Sequence, residues 1–220
     1  MRILYVSYYK DKNDIRQLEL EHCLKKNIQN PFIDKIVILL EGQIKDFPYL
    51  NTISKVQVIE TPRPTFEVFF EIANVLSEPD DYSIIANTDI YFDESIGLLH
   101  NYSMHNMCFA LSRYHFYEEW KIELHNEKFS QDVWIFQGKI KKMLYSSFHM
   151  GVPGCDNRIA YEIATAGYNI FNPAYSIKCI HYHRSELRNY HAGKIQKPYL
   201  PVPICHLPAP RNERNPIKTW

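Results

Sequence analysis

The chain carries no excess of either charge: Lys plus Arg and Asp plus Glu are 25 each. That balance excludes a global field that would draw it to nucleic acid or to an acidic membrane. No apolar run approaches the roughly 20 residues that a membrane-spanning helix needs. Met1-Arg2 leads straight into ILYV, without the charged region and apolar core of a secretion signal. The expectation is a cytoplasmic chain with no transmembrane segment, for which peripheral contact with a membrane remains open. The five cysteines, Cys23, Cys108, Cys155, Cys179 and Cys205, are scattered, odd in number and without CxxC spacing. This excludes a disulfide scaffold and points to reduced thiols. There is no internal repeat, no low-complexity tract, and no glycine-rich, basic phosphate loop after the first apolar stretch.

At 220 residues the chain suffices for one sizeable domain. Its 45% hydrophobic content is ordinary, whereas 16 Tyr, 12 Phe and 10 His are an excess that suits a polar ligand cleft. Ile3 to Tyr8 reads as a first strand. Asn13 to Asn27 reads as a helix carrying Ile15, Leu18, Leu20, Cys23 and Leu24, capped by Asn13 or Asp14. KIVILL (Lys35 to Leu40) and Val56 to Glu60 are further strands, with no strong helix between them because Gly42, Pro48 and Asn51 interrupt the segment. Thr65 caps a helix whose Phe66, Phe69, Phe70, Ala73 and Leu76 share a face.

The stretch SIIANTDIYFD, Ser83 to Asp93, follows. Its apolar opening without polar alternation fits a strand buried on both faces of a parallel sheet, and ligands of such sheets gather beyond the carboxyl ends of the strands. Asn87 and Asp89, two apart, then face a ligand together. Met107 to Ser112 reads as a fifth strand, RYHFYEEWKIELHNEKF shows no decisive period, and Ser130 to Phe136 is a short strand entered through a polar turn. A helix starts at Asp156, buries Ile159, Ala160, Ile163 and Ala164, and closes at Gly167. Extended segments run from Tyr168 to Asn172 and from Ser176 to Tyr182, and prolines crowd the tail from Pro198 to Pro216. The pattern is α/β: a mixed, mainly parallel central sheet flanked by helices.

Several side chains carry chemistry in this arrangement. Asp89 with His181 and His183 makes a divalent-cation set of one carboxylate and one or two imidazoles. A zinc set of Cys179, His181 and His183 on one strand is the alternative, and it needs a further distant ligand. Arg63, between two prolines after the third strand, either meets a phosphate or a base or is solvated. Asp132 is either a site carboxylate or a turn former. Asp156 is either a helix cap or a base, and a helix N-terminus alone would lower its basicity.

From Gly154 onward, GCDNRIAYEIATAGYNIFNPAYSIKCIHYH resembles the second half of the inverting glycosyltransferases of the GT-A fold, and NTDIYFD resembles their DxD region. In organisation the resemblance covers residues 1 to 185, although its specific motifs occupy these two stretches. It implies a single GT-A domain over 1–185, with a nucleotide-binding half at 1–93 and an acceptor half at 94–185. Residues 186–220 then form a proline-rich extension, packed on the domain or partly disordered. It further implies a metal-dependent hexosyltransferase moving sugar from a nucleoside diphosphate donor, a UDP-sugar, to a hydroxyl of a glycan or glycolipid. Asp89 then binds a Mn2+ or Mg2+ ion bridging the donor diphosphate, with His181 or His183 completing the shell. Asn87 lies near the ribose or the metal, and Asp156 deprotonates the acceptor. Tyr8, Tyr9 and Arg63 are nucleotide contacts; Arg113, Asp132 and Trp134 line the sugar or acceptor side. Two positions depart from the family pattern: Asn87 stands for the first Asp of the motif, and Cys155 for an acidic residue before the base. The alternatives are a sugar-phosphate nucleotidyltransferase and a catalytically silent carbohydrate-binding domain.

Overall fold

Period-two alternation in the first strand, β1 (Arg2–Tyr9), already divides the core into two. Leu4, Val6 and Tyr8 enter one apolar cluster and Ile3 and Tyr5 the other. The computed structural model describes residues 1–100, 102–118, 120–185 and 193–209. β1 is the middle of a run of parallel strands: it pairs with β2 (Lys35–Glu41) and β4 (Tyr82–Ala86), and β2 pairs with β3 (Val56–Thr61). Two 3-10 turns, Ile44–Asp46 and Pro48–Thr52, replace a helix between β2 and β3, where Pro48 and Gly42 oppose one.

Helix α1 (Asp14–Gln29), capped by the Asn13 side chain, covers the first face with Leu20 and Leu24. Helices α2 (Phe66–Leu76) and α3 (Cys155–Thr165) cover the other with Phe66, Phe69, Ile159 and Ile163. Thr65 caps α2. The apolar face anticipated for α1 is corrected: Ile15 and Leu18 are 60% and 64% exposed, and the buried stripe runs through Arg16, Glu19, Leu20, Cys23, Leu24 and Asn27.

The sheet continues through β9 (Val133–Gln137), which is antiparallel to both β4 and β6 (Met107–Leu111), and ends at β10 (Asn169–Phe171) beside β6. Its seven strands lie in the order β10-β6-β9-β4-β1-β2-β3. Since β9 runs against its neighbours, the residue entering it stands at the edge where the parallel strands leave. A second sheet joins β5 (Ile90–Phe92), β11 (Cys179–His181) and a hairpin of β7 (Tyr114–Glu118) and β8 (Lys121–Leu124). The hairpin lies within RYHFYEEWKIELHNEKF.

Residues 193–209 lie along the domain. Ile195, Leu200 and Val202 donate backbone bonds to Pro153, Asn157 and Lys128, and Cys205 to Asn172. Residues 186–192 and 210–220 of the expected extension lie outside the described residues. All five cysteines are free. No described helix is long and apolar enough to cross a membrane.

Candidate active site

Asp89 stands just before β5, and strand pairing decides what it meets. Ile90 pairs with His181 across the antiparallel β5–β11 ladder, and the Tyr182 backbone N–H donates to the Asp89 carbonyl at 3.0 Å. His181 Nε2 therefore lies 3.0 Å from Asp89 Oδ2, and His183 Nδ1 lies 3.8 Å from the same oxygen. Cys179, on the same strand, is fully buried in the core and stands outside this group. A third partner was not anticipated. Arg16, on the first turn of α1, donates to Asp89 Oδ2 through Nη2 and to Glu19 Oε2 through Nη1, the latter at 2.8 Å. Glu19 in turn accepts the backbone N–H groups of Arg184 and Ser185, each at 2.6 Å. Burial acts to raise the Asp89 carboxyl, but His181, His183 and Arg16 overcome it and hold the group well below its ordinary value.

Whether this set suits a divalent cation is a question of donor chemistry and spacing. One carboxylate oxygen and two imidazole nitrogens lie within 4.8 Å of one another, a mixed oxygen and nitrogen donor set. Three protein ligands leave positions open for ligand oxygens, so the residues fit a cation such as Mn2+.

The second cluster forms around Asp132, at the entrance to β9. The Asn87 side chain donates to Asp132 Oδ1 at 2.8 Å, and the Asn87 backbone N–H to the Asp132 carbonyl at 3.0 Å. Arg113 Nη1 reaches Asp132 Oδ2 at 2.8 Å and Ser130 Oγ at 3.1 Å. Asn87 thus supports a carboxylate from its own position on the motif.

Asp156 faces the same cleft from the first turn of α3. The cap of that helix is Gly154, in the left-handed region at φ 86°, with no side-chain cap bond. Asp156 therefore is not spent as the cap. A side chain at Gly154 would also place Cβ 2.6 Å from Tyr199 Oη and 2.8 Å from the Ile195 carbonyl, so only glycine fits. Cys155 Sγ donates to Asp156 Oδ1 at 3.0 Å. Burial first, and then the neighbouring charge of Asp132, push the Asp156 carboxyl up to about 7, against the pull of Arg113. A carboxylate that takes up its proton near neutral pH has the basicity of a working general base.

Both clusters open into one cleft of about 1170 Å³ at the carboxyl edge of the parallel strands. Ser7 and Tyr9 line it from β1, Glu41 from the end of β2, Arg63 from the turn after β3, and Met150 to Gly154 with the first turn of α3 from another side. Two expected contacts are corrected. Tyr8 is fully buried beneath α1, its ring 5.1 Å from that of Phe47 and its hydroxyl bonded to Gln17. Trp134 is fully buried on the opposite face, edge-on to Phe66 at 4.8 Å. Both sit inside strands, where parity assigns a side chain to one packed face or the other. Tyr9 escapes because it ends its strand.

No protein-family model matches the chain, and no curated protein matches it. Among solved structures it is similar to the mannosyltransferase PcManGT from Pyrobaculum calidifontis, in complex with GDP-Man and Mn2+. The TM-score is 0.54 at 11% identity, over 85% of this chain and 58% of that one. This chain thus spans less than two thirds of that transferase. A 4-diphosphocytidyl-2C-methyl-D-erythritol synthase superposes with a TM-score of 0.46 at 12% identity, over 87% and 94% of the respective chains. The likeness to the mannosyltransferase shows a GT-A type of fold, with a mixed, mainly parallel sheet.

Proposed function

We propose that the chain is an inverting, metal-dependent glycosyltransferase. It moves a hexosyl group from a nucleoside diphosphate sugar to a hydroxyl of a glycan or glycolipid. The observation that carries this reading is the pairing, in one cleft, of the Asp89, His181 and His183 set with a carboxyl at Asp156 raised to about 7. The fold likeness to a transferase solved with GDP-Man and Mn2+ agrees with it. Residues 1–93 then form the nucleotide half and 94–185 the acceptor half.

Asp156 takes the proton of the acceptor hydroxyl. The hydroxyl oxygen forms a bond to the anomeric carbon as the carbon–oxygen bond to the diphosphate breaks, and the electron pair leaves with the diphosphate. Attack from the face opposite the leaving group inverts the anomeric centre. Asp89, His181 and His183 would hold the divalent cation, which supplies positive charge to the departing diphosphate. Arg16 keeps Asp89 ionised and oriented for that task. Arg113 and Asn87 hold Asp132 in place, and the Asp132 charge raises the basicity of Asp156. Lys10 and Lys12, in the loop after β1, line the same cleft and add positive charge near the phosphates.

The test is nucleoside diphosphate release from a panel of nucleotide sugars, with and without Mn2+ and hydroxyl acceptors. Release that needs Mn2+ and falls by about 100-fold or more, on the scale of general-base catalysis, in Asp156→Asn supports the reading. Full turnover in that variant removes Asp156 as the base, and metal-dependent donor binding that survives Asp89→Ala removes the cation site.

A further inference from the structure

Asp89 Oδ2 is a single atom with three close neighbours. Arg16 Nη2 bonds to it, His181 Nε2 lies 3.0 Å away and His183 Nδ1 3.8 Å. The side chains of Arg16 and Asp89 are 10% and 13% exposed, so solvent screens their charges poorly. A guanidinium keeps its proton in a protein, and Arg16 therefore stays cationic whatever else enters the site. A divalent cation bound to Oδ2 at about 2.1 Å would stand within about 5 Å of Nη2 if the ion pair stayed intact. Like charges that close, in a poorly screened site, repel strongly. The cation and Arg16 are rivals for one oxygen.

The other nitrogen of the fork decides where Arg16 can go. Nη1 is held by Glu19 Oε2 at 2.8 Å, and Glu19 is itself fixed by the backbone N–H groups of Arg184 and Ser185. Pivoting on that bond, the guanidinium can leave Asp89 without leaving the cleft wall, which it shares with Lys10, Lys12 and Asn13. A diphosphate there offers oxygens that suit a guanidinium as well as a carboxylate does. Charge balance fixes when the exchange is favourable. Arg16, Asp89 and Glu19 together carry one net negative charge. A divalent cation turns that into one net positive charge, and the two negative charges of a nucleotide-sugar diphosphate restore it.

We infer that Arg16 is a counter-ion switch: it holds Asp89 until a divalent cation and a nucleoside diphosphate arrive together, then passes its Nη2 from the carboxylate to the diphosphate. Arg16 is on this account both a brake on cation binding to the free protein and a ligand of the departing diphosphate. Removing it therefore moves the two affinities in opposite directions. A residue that merely orients Asp89 would, when removed, weaken both. The inference rests on the transferase reading of the cleft, in which Asp89 holds the cation.

The test is Mn2+ binding to the full chain, read from the electron paramagnetic resonance signal of free Mn2+, together with calorimetric titration of whichever of UDP, GDP, ADP and CDP binds wild type most tightly. Arg16→Gln, with its melting temperature checked, should bind Mn2+ without nucleotide at least about fivefold more tightly than wild type, the lower end of couplings between sites. In Mn2+ it should bind the nucleoside diphosphate at least about fivefold more weakly. Asp89→Asn leaves Arg16 in place and serves if Arg16→Gln folds poorly. It frees Nη2, so in EDTA it should bind the nucleoside diphosphate at least about fivefold more tightly than wild type. Arg16→Gln binding Mn2+ no better than wild type, or Asp89→Asn binding the nucleotide in EDTA no better than wild type, would overturn the switch. Mn2+-dependent nucleotide binding by wild type would in that case still spare the transferase reading. Binding of neither Mn2+ nor any of the four nucleotides by wild type would overturn both.

Discussion

Replacing Asp156 with asparagine should stabilise the protein above neutral pH while it abolishes transfer, and the two effects share one cause. The carboxyl has an ordinary value of 3.8 and is carried up to about 7 in the fold, by burial and then by Asp132. The native state therefore holds its proton where the unfolded chain has lost it. A raised group of this kind contributes stability that is fully present below about pH 4 and lost as pH rises through about 7. At about 1.4 kcal/mol per pH unit, the full shift corresponds to about 4 kcal/mol. Solvent contact of this half-buried side chain and its coupling to Asp132 reduce the observable part to about 1–3 kcal/mol. An asparagine at this position carries no charge to desolvate, so Asp156→Asn should gain that amount over wild type at pH 8.5 and lose the gain at pH 4.5. Urea unfolding of both proteins at the two pH values measures it, because the difference of differences cancels the titrating groups that do not interact with Asp156. An identical wild-type-to-variant difference at both pH values, or a variant less stable at pH 8.5, would refute the placement of Asp156 beside Asp132.

Arg16 should matter to stability as well as to Asp89. Its side chain is 10% exposed and that of its partner Glu19 3%, so Arg16→Ala leaves two carboxylates short of their cation and should cost about 3–5 kcal/mol by thermal unfolding. A loss below about 1 kcal/mol would mean that the pair is solvated. Trp134→Ala should cost about 3–5 kcal/mol by opening the core beside Phe66, yet leave nucleotide affinity within about threefold; a specific loss of affinity would return Trp134 to the cleft. Gly154→Ala should cost about 1–3 kcal/mol through backbone strain and the approach of Tyr199, and a neutral result in denaturant unfolding would contradict the close contact.

The sheet was legible where burial on both faces makes a strand continuously apolar, as in KIVILL and SIIA; α2 was legible from its cap, stripe and stop, and α3 from its stripe and stop, its cap being Gly154 and not Asp156. The β7–β8 hairpin was not, since its aromatic and polar residues are half-exposed and follow neither period. Asp89, His181 and His183 stood out as residue types, but their meeting depends on the register of β5 against β11, which no local pattern encodes. Arg16 and Glu19 extend the i, i+3, i+4 stripe of α1 back through its first turns. Read as charges they belong in solvent; read as positions they face the core. The same parity governs Tyr8 and Trp134, whose aromatic character suggested a cleft while their places inside strands assigned them to packed faces.

Phosphorus NMR of the reaction products tests glycosyl transfer most directly. The protein is incubated with Mn2+, a nucleotide sugar and a hydroxyl acceptor, and in parallel with a nucleoside triphosphate and a sugar phosphate. Transfer through Asp156 predicts the coupled pair of signals of a free nucleoside diphosphate in the first reaction and no change in the second. Inorganic pyrophosphate appearing in the second, with the nucleotide sugar of the first left intact, would contradict it.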